Sequence, residues 1–589
     1  MPAQDLDLKR YDQRLKRPAA PDALNWAAKP VATIAVLKFG SSVLKSPEDI
    51  PEVVSEIYRH VRRGEKVIAV VSAFLGRTDA LLGQARALGG ARDNKHLPRY
   101  VVQGEEQAAA LTAIGCDRVG LDVRALGVRE LGIVAEGPCE EAIPVRFEAS
   151  ELEAALAAHE VVVVPGYGAV NEDGEVVLLG RGGTDLTAVF VASELKLDHV
   201  RLLKDVDGVY DSDPNIAGDV ASRYAELDWK TARIVAGKLV QRRAVEFAEQ
   251  RKVVVEVAAL GREAASLIGE QPPRTAPAGH PRKWKVALAG CGVVGGGVLQ
   301  RLLGRPDLYE VVGVLVRDPS KPRDVRIPEG LITADAEHLL DARPDVLVEA
   351  LSEGPPAARL HRRALERGVH VVSANKQAVA LDLPGLAAAA EKGGVKVSYS
   401  AAVGGGSPMI ETVRAARELG EIAEVEAVLN GTVNFMLDRL SHGAAFDDAL
   451  ADARAAGFAE EDPSADLEGH DAAAKLRILA FEAFGEVLDD ADIPRPVLDA
   501  DAVTRHGGCG TLRQIGRCVR EDGEVAAWVN LEPTLEARLF RSLRGERNAL
   551  RVVLKDGRSF VCRGRGAGRW PTAESVFADL GELVRSEGG

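Results

Sequence analysis

Apolar residues in this chain come in short blocks, and the spacing within each block predicts an element. Residues 31–39 are a strand-like run that meets Gly40-Ser41-Ser42, after which apolar positions recur at helical spacing. Strand-like runs return at 67–72, 161–164, 200–203 and 253–257, with Ala- and Leu-rich helical segments between them. Strand and helix in alternation predict an α/β architecture. The periodicity stops at 269–283, GEQPPRTAPAGHPRK, where four prolines predict a linker. A fresh strand begins at Trp284 and the alternation resumes, with no internal repeat and no heptad pattern. Two units of enzyme size joined by a short tether are expected, preceded by a polar, Pro- and Ala-rich arm over 1–30.

Composition narrows the class. At 589 residues the chain exceeds one hydrophobic core and fits about three or four folding units. With 46% apolar and 28% charged residues it can bury cores of its own, which excludes a disordered chain. A net charge of −14 argues against a general binder of nucleic acid or anionic membranes. No apolar run approaches the roughly 20 residues needed to span a bilayer. The first residues lack the apolar core of a secretory signal. Cys116, Cys139, Cys291, Cys509, Cys518 and Cys562 are scattered, without CxxC pairs or histidines at ligand spacing. Reduced thiols, no zinc site and a cytoplasmic enzyme are the expectation.

Chemistry-bearing motifs crowd the second unit. KVALAGCGVVG (285–295) is a strand, then GxGxxG, then the start of a helix. Such glycines permit a tight turn and let a pyrophosphate approach the helix N-terminus, where free N–H groups favour an anion. Gly290, Gly292, Val293, Val294 and Gly295 are the candidate dinucleotide contacts. The next strand, 311–316, ends in Arg317-Asp318-Pro-Ser-Lys321. Arg317 and Lys321 favour a 2′-phosphate and hence NADP, while Asp318 would suit the ribose hydroxyl of NAD. Ser373-Ala-Asn375-Lys376 follows a strand at 370–373, and a glycine-rich turn, Ser400-Ala-Ala-Val403-Gly404-Gly405-Gly406-Ser-Pro408, comes next. After Leu429-Asn430-Gly431-Thr432-Val-Asn434-Phe, residues 457–475 set an acidic loop before a helix carrying Asp471 and Lys475. Those two are four apart and share a helix face. Alone, the spacing reads as an ordinary exposed ion pair. A lysine buried among carboxylates would instead be placed to exchange a proton.

In this order GCGVVGGG, SANK, AVGGGSP, NGTVNF, FAEEDPSADLEGHDAAAKL and GRGAGRWPTAESVFADL (564–580) make 284–589 resemble homoserine dehydrogenase. The resemblance implies a Rossmann NAD(P)-binding domain over 284–403, completed by about 550–589, and an α+β catalytic and dimerisation domain over 404–549. It implies reversible reduction of aspartate 4-semialdehyde to L-homoserine with NADP or NAD. By motif position Lys475 is implied as the acid/base at the substrate oxygen, with Lys376 a second candidate. Asp471 would orient the lysine and, with Glu460 and Asp466, bind the substrate ammonium. Gly431 and Thr432 fall in the substrate motif, and Asn375 and Gly568 at the cofactor. The backbone at Val403 and Gly405 resembles the family's monovalent-cation turn. Ala401 departs from relatives that carry Glu or another polar residue there, and leaves backbone ligation open. The end segment, with Asn548, Gly566-Ala567-Gly568 and Pro571-Thr572, is implied to rejoin the dinucleotide fold and close over the cofactor, whereas 499–547 carries no diagnostic residue.

The first unit carries Lys38-Phe-Gly40-Ser41-Ser42, then Ser72 and Thr78 within VVSAFLGRTD, then Gln103-Gly104-Glu105, LGRGGTDLT (179–187) and KDVDGVYDSDP (204–214). The first of these is not the GxxxxGK[ST] loop. Together they resemble the amino-acid kinase fold and, within it, aspartate kinase, over 31–262, with 263–283 as the linker. The resemblance places Lys38 on the transferring phosphate and has Asp185 orient it. Ser72 and Thr78 would hold the reacting carboxylate, Glu105 the substrate ammonium, and Arg181 its α-carboxylate. Lys204, Asp205, Asp207 and Lys238 would line ATP, with Mg2+ implied by the phosphates. The turn Gly40-Ser41-Ser42 is shorter than in aspartate kinases and similar to that of glutamate 5-kinases. Lys204 stands where Thr is usual, and Val240-Gln241 replaces His-Pro. Aspartate kinases usually continue into paired ACT domains; the linker leaves no room for them, so ACT-borne threonine or lysine feedback is expected to be lost.

Joined, the resemblances imply a cytoplasmic, bifunctional aspartate kinase–homoserine dehydrogenase, homodimeric or homotetrameric. Its partners would be small amino-acid substrates, not nucleic acid or membrane. One alternative is a homoserine dehydrogenase whose kinase-fold domain is inactive and kept for structure or regulation. Another is a nucleotide sensor that turns nothing over, against which the set Glu460, Asp466, Asp471 and Lys475 argues, since a sensor needs no acid/base lysine.

Overall fold

Central strands of the first unit are apolar throughout, as KVIAVV and VVVVP show, because both faces of their sheet are covered. The computed structural model describes residues 33–89, 94–212, 221–237, 239–277, 282–459, 461–501, 512–533 and 538–587. In it a nine-stranded sheet runs in the order Arg274–Pro277, Ser222–Asp228, Ala265–Gly269, Val254–Ala259, His199–Lys204, Ile34–Phe39, Lys66–Val71, Val161–Pro165, Val123–Ala125. The strands from Val254–Ala259 onward pair in parallel. Side-chain alternation along Ile34–Phe39 feeds two cores. Leu37 and Phe39 join Val53, Ile57 and Ala108 from helices Ile50–Arg62 and Gln103–Arg118, while Val36 joins Val189 and Phe190 from helix Gly183–Glu194. Lys38 therefore shares the face of Val36, toward helix Gly183–Glu194.

The second sheet has six parallel strands in the order Ile332–Thr333, Tyr309–Leu315, Trp284–Ala289, Val346–Glu349, His370–Ser373, Val397–Ser398. Numbered along the chain this is 3-2-1-4-5-6, a doubly wound dinucleotide fold whose order reverses beside Trp284–Ala289. The third sheet is antiparallel, in the order Glu524–Pro533, Leu512–Glu521, Ile422–Val428, Arg547–Leu554, Ser559–Arg565. Helices Met409–Leu419 and His470–Phe484 supply Ile410, Val413, Leu476 and Leu479 to its core.

Two expected boundaries move. The linker reading of 263–283 is too long, because Ala265–Gly269 and Arg274–Pro277 are strands of the first sheet. Arg274–Pro277 is an edge strand, and an edge tolerates the proline-rich composition that made this stretch look irregular. The closing segment 550–589 does not return whole to the dinucleotide fold. Arg547–Leu554 and Ser559–Arg565 belong to the antiparallel sheet, and only helix Arg569–Glu587 packs on helix Val293–Gly304, through Ala573, Val576 and Phe577. The arm 1–30 and Cys509 lie outside the described residues. Among the described residues no helix is long and apolar enough to cross a membrane.

The tether does not leave the two units apart. Helix Ile50–Arg62 of the first lies against helix Arg569–Glu587, with Ser55 bonded to Glu574 and Arg62 paired with Asp579. Arg118 stacks on Trp570 at 3.8 Å, and Arg565 pairs with Asp117 at 3.1 Å.

Candidate active sites

The crevice where the strand order reverses is built for an anion. Gly290 has a left-handed backbone (φ +94°), and a Cβ there would stand 2.5 Å from Ala350 O. A Cβ on Gly295 would stand 2.0 Å from Gly290 O, so this glycine lets helix Val293–Gly304 press on the turn. Gly292 has open space instead, and Val293 beside it is exposed. Tight turn, open approach and close helix packing are the three requirements of a pyrophosphate cradle at a helix N-terminus. Arg317 and Lys321 are exposed just past strand Tyr309–Leu315, with Arg317 paired to Glu353 at 3.1 Å. Asn375 is buried and fastens the crevice wall: its Nδ2 donates to Leu351 O at 3.1 Å and Glu353 O at 3.2 Å, and its Oδ1 caps helix Lys376–Leu381. Gly568 is exposed at φ +119°, just before helix Arg569–Glu587.

Glu349 was not singled out from sequence, yet it organises this wall. Fully buried at the end of strand Val346–Glu349, it accepts from Leu351 N at 2.6 Å and Ser373 Oγ at 2.7 Å, and lies 2.8 Å from His361 Nε2. Its signal was an acidic residue closing an otherwise apolar strand.

The acidic block joins the crevice wall through Lys376, which pairs with Asp471. Left-handed Gly469 starts helix His470–Phe484, which turns Asp471 and Lys475 inward, both buried. Lys475 Nζ donates to Asp471 Oδ2 at 2.7 Å and to Leu429 O at 2.8 Å. Lys376, half-buried at the start of its helix, reaches Asp471 Oδ1 at 2.9 Å. One carboxylate thus carries a lysine on each oxygen. Burial would raise its pKa, but the two ammonium groups outweigh that and hold it at about 2. Asn430, another residue without an assigned role from sequence, caps helix Gly431–Ser441 through Val433 N and donates to Asp466 at 2.8 Å and Asp471 at 3.0 Å. An Asn directly ahead of a helical run was its signal. Asp466 is raised by burial and then by the charge of Asp471. Thr432 spends its hydroxyl on Phe458 O at 2.7 Å, which ties down the acidic loop, and Gly431 leaves room for Glu546 O. Glu460 lies outside the described residues. The turn at Val403 and Gly405 is buried, with left-handed Gly404 and Gly405.

In the first unit the sheet register makes the site. Lys38 pairs with Leu202 on the neighbouring strand, so Lys204, two residues on, faces the same side. Asp185, in the first turn of helix Gly183–Glu194, lies between them: Lys38 Nζ at 2.5 Å and Lys204 Nζ at 3.3 Å, all three buried. Burial opposes ionisation of Asp185, yet Lys38 and Lys204 hold it at about 2. Burial, then the charge of Lys38, pushes Lys204 down to about 8. Gly40 makes room: a Cβ there would stand 2.6 Å from Lys38 Nζ. Glu105 is buried, accepts from Thr78 at 3.4 Å and is pushed up to about 7 by that burial. Ser72 is half-buried and bonded to Ala73 O. Arg181 and Asp205 are exposed, Asp207 accepts from Tyr210 at 2.7 Å, and Lys238 lies outside the described residues. Gln241 packs against left-handed Gly182, where a Cβ would meet it at 2.0 Å.

Residues 33–258 match the amino acid kinase family, 290–400 the NAD binding domain of homoserine dehydrogenase, and 408–580 homoserine dehydrogenase itself. The homoserine dehydrogenase of Synechocystis sp. is 36% identical over 317 residues, covering 51% of this chain and 73% of that protein. Those of Corynebacterium glutamicum and Bacillus subtilis are 34% and 30% identical, over 72% and 73% of their lengths and 51% of this chain. A solved homoserine dehydrogenase from Thiobacillus denitrificans is 32% identical with a TM-score of 0.49, covering 53% of this chain and 75% of that one. Only residues 259–289 separate the first two matches, too few for a pair of ACT domains. With Lys376, which follows the Asn375 of the crevice wall, paired to Asp471 beside Lys475, and relatives matched across both parts, the chain belongs to the homoserine dehydrogenase family and carries, ahead of that part, an amino acid kinase domain.

Proposed function

We propose that the chain interconverts L-homoserine and aspartate 4-semialdehyde with NADP or NAD, and phosphorylates L-aspartate with MgATP. The observation carrying the first reaction is Asp471 held between Lys376 and Lys475. Gly290, Gly292 and the first residues of helix Val293–Gly304 would hold the dinucleotide, which when bound accepts or delivers hydride at the substrate carbon. Exposed Arg317 and Lys321 favour NADP. Lys475 takes the proton of the homoserine hydroxyl during oxidation and returns it to the oxygen during reduction. Lys376 adds a second positive charge to oppose charge developing on that oxygen. Asp471 fixes both lysines, and Asp466, with Glu460, would receive the substrate ammonium. Carbonyl oxygens of Val403 and Gly405 suit a hard monovalent cation, supported by the buried, tightly turned backbone there.

For the kinase, Lys38 and Lys204 would neutralise the transferring phosphoryl oxygens while Asp185 spaces them. Ser72, Thr78, Glu105 and Arg181 would hold aspartate, and Asp205, Asp207 and Lys238 the nucleotide. The replaced His-Pro, with Gln241 packed on Gly182, favours a second reading in which this domain binds without turnover. A cytoplasmic homodimer or homotetramer remains part of the proposal.

Lys475→Ala in the full chain should lower homoserine oxidation by about 10²–10⁴, the usual worth of a general acid/base, with cofactor binding followed by fluorescence retained. Turnover within several-fold of the parent would remove Lys475 from the role. Aspartate- and MgATP-dependent hydroxamate formation, run beside it, decides the kinase.

A further inference from the structure

The glycine-rich turn of the dehydrogenase is held from outside its own domain. Helix Ile50–Arg62 of the amino acid kinase unit presents Tyr58 and Arg62 to it. Tyr58 is only 1% exposed, and its hydroxyl donates to Gly406 O at 2.9 Å. Arg62 donates to Ser400 Oγ at 3.0 Å and pairs with Asp579, which accepts from Ser400 N at 3.0 Å. Gly406 N donates to Arg565 O at 3.0 Å. A Cβ on Gly406 would stand 2.9 Å from Val119 O of the kinase unit and 2.7 Å from Pro571 Cβ. Atoms of both units therefore crowd the place a Gly406 side chain would take.

From this turn, contacts run on to Lys475. A Cβ on Gly405 would stand 2.6 Å from Gly566 O, and one on Gly566 would stand 2.1 Å from Asn548 Nδ2. Asn548 Nδ2 donates to Leu429 O at 3.2 Å, and Lys475 Nζ donates to the same oxygen at 2.8 Å. Interiors this tightly packed transmit displacement rather than absorb it.

We propose that Tyr58 is a positioning residue of the dehydrogenase, supplied by the kinase unit: its hydroxyl fixes Gly406 and, through Gly405, Gly566 and Asn548, sets the Leu429 carbonyl on which Lys475 rests. This rests on the reading of Lys475 as the proton-transferring residue. It gives the first unit a part in the second reaction whatever the first unit phosphorylates. Without the hydroxyl, Gly406 O is a buried carbonyl lacking this donor, and the turn shifts to find another.

The test is Tyr58→Phe in the full chain, which keeps the ring and removes one hydroxyl. We expect kcat for homoserine oxidation to fall by about tenfold, the size of one buried hydrogen bond lost. KM for homoserine and for cofactor should move less than about twofold, with the thermal transition within about 2 °C of the parent. Asp117→Asn, which breaks the exposed Arg565 pair at the same boundary, should leave kcat unchanged. An unchanged kcat in Tyr58→Phe overturns the inference. So does an equal loss in Asp117→Asn, or a loss that tracks a lowered thermal transition, either of which would make Tyr58 a general boundary contact. If Lys475→Ala stays active while Tyr58→Phe loses kcat, the Lys475 reading has failed and Tyr58 acts by another route, which overturns the inference as stated.

Discussion

Replacing Lys204 with methionine should make the first unit more stable and abolish the phosphoryl transfer proposed for it. Lys204 is 7% exposed, and burial with the charge of Lys38 pushes it down to about 8. Against an ordinary lysine near 10.4, keeping it protonated in the fold at neutral pH costs roughly 3 kcal/mol. Methionine removes that cost and fills the same space. Part of the gain is returned, because Asp185 then keeps only Lys38, at 2.5 Å. A net gain of about 1–3 kcal/mol corresponds to a rise of roughly 3–8 °C for a domain of this size. The sign with pH follows from proton counting. Below pH 8 the lysine is protonated both folded and unfolded, so the parent carries the whole penalty. Between about 8 and 10.4 the unfolded chain binds more protons than the folded one, so the stability of the parent rises relative to the variant. Scanning calorimetry of both full chains at pH 7 and pH 10 should show the methionine advantage at pH 7 and most of it gone at pH 10. A variant less stable at pH 7, or an advantage indifferent to pH, would refute the reasoning.

Other predictions follow from single contacts. Glu105 is pushed up to about 7, so it gains a proton as pH falls and would lose the hold on the aspartate ammonium proposed for it. The aspartate KM should rise by about tenfold from pH 8 to pH 6, and Glu105→Gln should leave it high and flat with pH in the hydroxamate assay. Gly292→Ala meets no protein atom within 4 Å, so the fold should stand while cofactor KM rises about tenfold or more as the added methyl blocks the pyrophosphate approach. Gly295→Ala drives its Cβ to 2.0 Å from Gly290 O and should destabilise the chain by about 1–3 kcal/mol, read by urea unfolding.

What could be read from sequence was what local spacing decides. Asp471 and Lys475 meet because they are one helical turn apart, and the glycines of 290–295 act within one turn, so both were legible. Asn430, Glu349 and Tyr58 were not, because each works on residues distant in sequence. Asn430 reaches Asp466 and Asp471, Glu349 reaches His361 and Ser373, and Tyr58 reaches Gly406 across the domain boundary. Lys204 was legible as a departure from the kinase pattern, but its meeting with Lys38 needed the register of two parallel strands. The proline-rich stretch misled for a related reason: edge strands such as Arg274–Pro277 need hydrogen bonds on one side only, so their composition can resemble a linker.

Both sites rest on the same arrangement, one buried aspartate with a lysine on each side. Asp185 stands between Lys38 and Lys204, and Asp471 between Lys376 and Lys475. In each, burial opposes ionisation of the carboxylate, and the two lysines beside it hold it at about 2 all the same. Two lysines on one carboxylate suit the proposed reactions, which gather negative charge on oxygen, an alkoxide in one case and phosphoryl oxygens in the other. The surroundings divide the roles. The Asp185 cluster is buried throughout, and burial with the charge of Lys38 lowers Lys204 to about 8, so phosphoryl oxygens brought beside it would favour its charged form. At Asp471 the second lysine, Lys376, is half-buried, so one flank of that cluster meets solvent. That difference fits the proposed roles, since a proton exchanged at Lys475 in the dehydrogenase reaction must pass to or from solvent, whereas phosphoryl transfer asks the lysines only for charge.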